Sequence, residues 1–248
     1  MKELKKVEES KMELNINHTY RSSNYKKRNI SDKIDTIIIH YTGMKTAKAA
    51  LEKLCDPNAE VSSHYFLDKN GKVLQLVDDN KIAWHAGRSK WLNRKNLNET
   101  SIGIELCNSG HDHNFENFTE LQYKSLEKLL YNLKNNYSIS ADRVLGHSDI
   151  APKRKLDPGE KFDWQRLAKN NLVVWPNKIL KLDAKINLQN IEYYLRNIGY
   201  DIDDGFENSL IAFKRHFIPE DISLIVDKKV LNIACSVYMA FEKNRSLY

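Results

Sequence analysis

The chain has 248 residues, 41% of them hydrophobic and 10% aromatic, enough to bury the core of one large domain or of a catalytic domain with a smaller appendage; a wholly disordered chain is excluded. Its longest apolar runs fall far short of the ~18–20 residues that a membrane-spanning helix needs. Lys and Arg outnumber Asp and Glu by 39 to 33, and the resulting charge of +6 suits an anionic partner without naming one.

Residues 1–33 are polar and charged and read as an extended arm leading into the fold. The opening MKELKKVEESKMELN lacks the apolar core of a secretory leader. Cys55, Cys107 and Cys235 are odd in number and scattered, which argues against a disulfide framework and for a reducing, cytoplasmic compartment. At Ile34 the character changes: IDTIIIHY is a β-branched run that predicts a buried strand ending in His40. Thr46–Cys55 has helical composition. HYFLDKNGKVLQLV predicts two strands around Lys69-Asn70-Gly71, with Asn-Gly supplying the positive φ angles of a tight hairpin turn. SIGIEL, Ser101–Leu106, alternates as a strand with Glu105 facing away from Ile102, Ile104 and Leu106.

Thr119 predicts the cap of a helix reaching about Asn135, because TELQ is a capping box and Leu121, Leu126, Leu129, Leu130 and Leu133 supply an apolar face. RVLGH predicts a strand ending at His147, followed by the loop HSDIAPKRKLDPGEKF and a short helix from Phe162 to Leu172. This alternation predicts an α/β domain over 34–180 with a mixed central sheet flanked by helices. From about Lys185 the texture changes to three amphipathic helices, near 187–197, 206–217 and 227–242, with Gly199 and Gly205 at their stops. A unit of ~60 residues is near the minimum for independent folding, so 185–248 is expected to lean on the first domain.

His40 and His147 each end a predicted strand, and Asp157 follows His147 on a loop held by Pro152 and Pro158. Two imidazoles and one carboxylate form a zinc set that keeps a fourth position for water, although spacing alone leaves a structural role open for each. Glu105 is a mid-strand carboxylate, costly to bury without a partner or a task. On pattern alone an outward place on a one-sided sheet accounts for it. Lys155 is either a solvated residue of a basic loop or a cation beside a developing oxyanion. Trp84 and His85, in AWHAG, are candidates to line a substrate groove, while packing explains Trp84 equally well. His64, beside Tyr65, suits a core position. His111 and His113, in SGHDHNF, are expected in a solvated loop, and His18 and His216 carry no signal.

Five motifs in order, IIIHYTG, VSSHYFLDKNGKVLQLV, IAWHAGRSKW, LNETSIGIEL and GHSDIAPKRKLDPG, resemble the zinc-dependent N-acetylmuramoyl-L-alanine amidases of the peptidoglycan-recycling and outer-membrane lipoprotein type, which share their fold with peptidoglycan recognition proteins. The resemblance runs from about Ile34 to Pro176. It implies one zinc ion per chain held by His40, His147 and Asp157, with Glu105 and Lys155 catalytic; Trp84, His85 and His64 are added as substrate-binding candidates on their own residue chemistry. It further implies hydrolysis of the amide between N-acetylmuramic acid, or its 1,6-anhydro form, and the L-alanine of a peptidoglycan or muropeptide stem. The tail, LQNIEYYLRNIGYDID and FENSLIAFKRHF, is similar to the three-helix peptidoglycan-binding-like domain of the lipoprotein-type members, which sets the cell envelope against the cytoplasmic reading. A non-catalytic recognition module would keep the fold and lose ligands or base, whereas all five positions are intact. Nucleic acid is not an expected partner, because Lys and Arg are spread along the chain and no nucleic-acid motif accompanies them. A monomer without a transmembrane segment is expected.

Overall fold

A computed structural model describes residues 14–29, 32–182 and 187–247. Among these the order is β1 (Ile16–Asn17), β2 (Tyr25–Lys27), β3 (Thr36–Tyr41), α1 (Ala47–Cys55), β4 (Tyr65–Leu67), β5 (Val73–Gln75), β6 (Lys81–Ala83), β7 (Lys90–Trp91), β8 (Arg94–Lys95), β9 (Ser101–Leu106), α2 (Glu120–Tyr137), β10 (Val144–Gly146), α3 (His147–Ile150), α4 (Trp164–Lys169), α5 (Leu188–Ile198), α6 (Phe206–Phe217) and α7 (Lys228–Arg245).

The central sheet has the order β1-β5-β4-β9-β3-β10 and is mixed: β4, β9, β3 and β10 are parallel, whereas β5 runs against β4. Side chains alternate across a strand. Ile37 and Ile39 of β3 therefore share one face with Ile102, Ile104 and Leu106 of β9, and all pack on Leu126, Leu129, Leu130 and Leu133 of α2. The start of α2 is fixed by the predicted capping box, in which the Gln122 amide donates to the Thr119 hydroxyl and the Thr119 amide to the Gln122 side chain, at 3.1 and 3.0 Å. The other face carries His40, Ile38, Ser101, Gly103 and Glu105.

The C-terminal helices close near the predicted limits and share one hydrophobic cluster with the sheet, joining Ile191, Leu195, Phe213, Leu231 and Phe241 to Ile38, Trp91, Leu145 and Ile150. Trp91 lies against Tyr200 and Phe241, with ring centroids 5.1 and 6.3 Å away. Gly199 is required there, because a Cβ would lie 2.4 Å from the Trp91 ring. No helix among the described residues is long and apolar enough to cross a membrane.

Several expectations need correction. The arm does not merely lead in; residues 1–13 lie outside the described set, but β1 pairs with β5 and β2 with β6. Asn24 Nδ2 donates to the carbonyls of Asp56 and Val61 at 2.8 and 3.0 Å, and the Arg28 guanidinium to those of Lys81 and Ser101 at 2.8 and 3.1 Å. In the β4–β5 hairpin only Gly71 has positive φ, and its N–H donates to Asp68, so the connection is a turn over Asp68–Gly71 rather than a two-residue Asn-Gly turn. Leu121 is half exposed, because it lies about 140° around the helix from Leu126. The predicted Phe162–Leu172 helix contracts to α4, and His147 opens α3 instead of ending a strand.

Candidate active site

Parallel register brings the residues together. His40 is the cross-strand partner of Glu105, and Gly146 at the end of β10 is the partner of Ile39, so His147, one residue on, arrives level with His40. Both sit at the carboxyl ends of parallel strands, where an α/β sheet opens its crevice. Asp157 returns over the 151–157 loop: its carbonyl accepts from the Ser148 N–H at 2.8 Å, while the N–H groups of Arg154 and Lys155 donate to Ala151. All three side chains are buried.

His40 Nδ1, His147 Nδ1 and Asp157 Oδ2 form a triangle with edges of 3.0, 2.9 and 3.0 Å. Bonds of ~2.0–2.2 Å in a tetrahedral zinc shell put neighbouring donors ~3.3 Å apart, so the triangle has nearly the size that such an ion sets. Among the described residues this is the cluster whose ligand atoms converge for a metal ion. Protonation states agree. Burial, followed by the charge of His147, pushes His40 down to about 4, leaving a neutral ring. For Asp157 burial works against ionisation, but His147 and His40 outweigh it and hold the carboxyl well below its usual range. A neutral imidazole and an ionised carboxylate are what a metal requires.

The outward nitrogens fix the two rings. His147 Nε2 lies 3.1 Å from the Ala86 carbonyl, which can only accept, so a ring that ligates through Nδ1 would keep its proton on Nε2. The His40 chain is longer. The Ser101 hydroxyl donates to the Leu97 carbonyl, its oxygen accepts from His85 Nε2 at 3.3 Å, and His85 Nδ1 accepts from His40 Nε2 at 3.1 Å. With the chain donating in that order, His40 Nδ1 is the nitrogen whose lone pair a metal would take. Gly103 makes room for the chain, because a Cβ there would lie 2.4 Å from His85 Cγ.

Glu105 is buried, against the outward position its pattern favoured, and its Oε2 has no hydrogen-bond partner among the described residues. Burial, followed by the negative charge of Asp157, pushes its carboxyl up to about 8, with Lys155 opposing. A carboxylate so poised beside a metal-ligand triangle is suited to proton transfer near neutrality.

Residues 30–160 match the N-acetylmuramoyl-L-alanine amidase family, and the amidase AmiD of Escherichia coli K12 is 35% identical over 212 residues, 75% of this chain and 76% of AmiD. The chain belongs to the N-acetylmuramoyl-L-alanine amidase family. The 1,6-anhydro-N-acetylmuramyl-L-alanine amidase AmpD of Haemophilus influenzae is 46% identical over 107 residues, 43% of this chain and 56% of AmpD. In three dimensions this amidase is similar to E. coli AmiD solved with anhydro-N-acetylmuramic acid-L-Ala-D-gamma-Glu-L-Lys, with a TM-score of 0.75 and 32% identity over 86% of this chain and 92% of AmiD.

The remaining candidates divide. Lys155 is half-buried, and its charge reaches both His40 and Glu105. Trp84 is half-buried. His64 has no exposed surface with which to meet a substrate: Nδ1 accepts from the Gly103 N–H at 3.0 Å, and Nε2 lies 3.2 Å from the Lys81 carbonyl. His85 is likewise buried, with Nδ1 3.1 Å from His40 Nε2. His111 is not simply solvated. It bridges the Tyr41 hydroxyl, 2.8 Å away, and Glu160, 3.0 Å away. Ser101 and the Ala86 carbonyl escaped sequence reasoning. The alternation of SIGIEL, which sets Ser101, Gly103 and Glu105 on one face, was the available signal for the first.

Proposed function

We propose that this amidase holds zinc with His40, His147 and Asp157 and hydrolyses the amide between the lactyl carboxyl of N-acetylmuramic acid, or of its 1,6-anhydro form, and the L-alanine of a muropeptide stem. The observation that carries the metal reading is the triangle of three buried donor atoms with edges of 2.9–3.0 Å. Zinc in such a site supplies a Lewis acid that acidifies water toward neutrality and polarises a carbonyl. Glu105 moves the proton: its unpartnered carboxylate oxygen takes it from the attacking water and returns it to the amine of the departing L-alanine. Lys155 places a positive charge beside the oxygen that gains negative charge as the carbonyl is attacked. The His85–Ser101–Leu97 and Ala86 contacts hold the two imidazoles in the tautomer and orientation that ligation needs. Trp84 offers a ring to the sugar. These residues all fall within 34–180, the segment proposed as the catalytic unit, with the helical segment from 187 onward packed against it.

The test is metal analysis of the purified protein together with mass spectrometry of anhydro-muropeptide digests. One zinc per chain and release of the intact stem peptide, abolished by a chelator and restored by zinc, are expected. Cleavage that survives complete metal removal would refute the mechanism.

A further inference from the structure

We infer that Tyr200 and His216, supplied by the C-terminal helical segment, are positioning residues for the zinc-binding loop, acting through the buried carboxylate of Asp149; the inference rests on the zinc reading above. The loop needs an external hold. α3 has four residues, too few to be stable alone, yet it carries His147 at its first position, and the Ser148 N–H donates to the Asp157 carbonyl at 2.8 Å. Where α3 sits therefore decides where two of the three ligands sit.

Asp149 supplies the hold. Its Oδ2 accepts from the Gly146 N–H at 2.7 Å, closing the first turn of α3, and faces His216 Nδ1 at 2.9 Å, while its Oδ1 accepts from the Tyr200 hydroxyl at 2.8 Å. The carboxylate is 1% exposed, and a charge so buried is tolerated only where its oxygens are satisfied. The side-chain donors that satisfy it both come from the C-terminal segment. Each is itself held by rings. His216 is stacked on Trp164 with centroids 4.0 Å apart and on Phe217 at 4.1 Å, and Tyr200 meets Trp91 and Phe213 edge-on at 5.1 and 6.1 Å. A donor with no room to turn fixes its acceptor, so two rigid rings from beyond residue 187 orient the short helix that presents His147. Apolar packing alone would cover α3 without directing it, because dispersion contacts have no preferred angle, whereas hydrogen bonds do.

The experiment compares zinc release from the full-length, zinc-loaded protein to a chromophoric chelator, with the melting temperature and the cobalt-substituted absorption spectrum of each variant. Tyr200→Phe removes one hydroxyl and keeps the ring; His216→Phe keeps the stacking and removes the donor; His216→Asn keeps an N–H close to the Nδ1 position. Val237→Ala in α7, a buried apolar side chain that takes no part in the hydrogen bonds to Asp149, is the control for stability. Tyr200→Phe and His216→Phe are expected to release zinc ~10-fold faster and to shift the cobalt bands, as loss of an outer support does. His216→Asn should stay near the wild-type rate, and Val237→Ala should lower the melting temperature without changing release. Should one of the first two variants not fold, the other reads the same carboxylate through its other oxygen. Wild-type release from both, or release that merely follows melting temperature across all variants including Val237→Ala, overturns the proposal. Wild-type protein that binds no zinc overturns the metal reading itself, a result distinct from equal release by wild type and variants.

Discussion

The two faces of the β3–β9 strand pair differ in what they bury, although Ile38 gives the second an apolar contact with the C-terminal helices. One carries Ile37, Ile39, Ile102, Ile104 and Leu106 against α2, a continuous apolar layer. The other carries His40, Glu105, Gly103 and Ser101, where the His40 and Ser101 side chains are linked through His85, where Glu105 Oε2 is buried with no hydrogen-bond partner among the described residues, and where Gly103 is small enough to admit His85. Neighbouring residues of a strand thus belong to different problems. Ile104 lies in the apolar layer and the proton-transfer role proposed above falls to Glu105, although only one peptide bond separates them. A period of two lets an enzyme store a costly carboxylate in a sheet whose opposite face supplies the free energy to tolerate it.

The sharpest way to break this division is Glu105→Gln, which preserves shape and removes the proposed proton carrier. Turnover is expected to fall ~10³-fold, with zinc content and melting temperature close to wild type, as for loss of a general base. Loss of zinc in this variant would place Glu105 among the metal's supports instead. Ile104→Ala should do the reverse. The fully buried side chain leaves a cavity against α2, and denaturant unfolding should show ~3 kcal/mol of lost stability, while turnover per folded, zinc-loaded molecule is unchanged. A catalytic defect of similar size would mean that the two faces are mechanically coupled.

Gly103→Ala probes the boundary between them. The new methyl displaces His85 from behind His40, so zinc affinity measured by chelator competition should weaken ~10–100-fold, with a smaller stability loss than Ile104→Ala causes. Unchanged affinity would show that His40 needs no support from His85.

The smallest effect is a pH dependence of the chelated protein. Folding raises the Glu105 carboxyl from the usual 4.5 to about 8, through burial and then the charge of Asp157. Between those values the folded state binds the proton more tightly than the unfolded state, so this group's contribution to stability is full below pH ~4.5 and is lost as pH rises through about 8. Glu105→Gln lacks that loss. The melting temperature of chelated Glu105→Gln minus that of chelated wild type should therefore grow across this interval, and a flat difference would show that the carboxyl is already ionised.

Legibility differed by residue. The strand IIIHY, the capping box at Thr119 and the alternation of SIGIEL were readable because a strand's two faces and a helix's first turn are set by neighbours in sequence. Leu121 was misread because the apolar leucines nearby suggest a face that its angular position does not share. The Asn-Gly pair was misread because Asp68 extends the turn, taking the Gly71 N–H at 3.0 Å. His64 and His85 sit in motifs whose spacing carries no measure of depth, and nothing local tells a ring open to solvent from one enclosed in the core. His216 had no local signal at all. Its meaning is the distance to Asp149, 67 residues earlier.

By itself the sequence determined which residue types this amidase has available, the period-two separation of Glu105 from its apolar neighbours, and, through ordered motifs, the proposal of His40, His147, Asp157, Glu105 and Lys155 as the site. These are properties of residue order, and steric rules of strands and helices convert them directly into faces and caps. Tertiary structure alone decided that three donor atoms meet within 3.0 Å, that Glu105 is turned inward, that His85 serves His40, and that Tyr200 and His216 reach across from the C-terminal helices to Asp149. Each of those facts depends on the register of parallel strands and on packing between segments far apart in the chain, where a hydrogen bond forms only within a narrow range of distance and angle and residue order carries no measure of either.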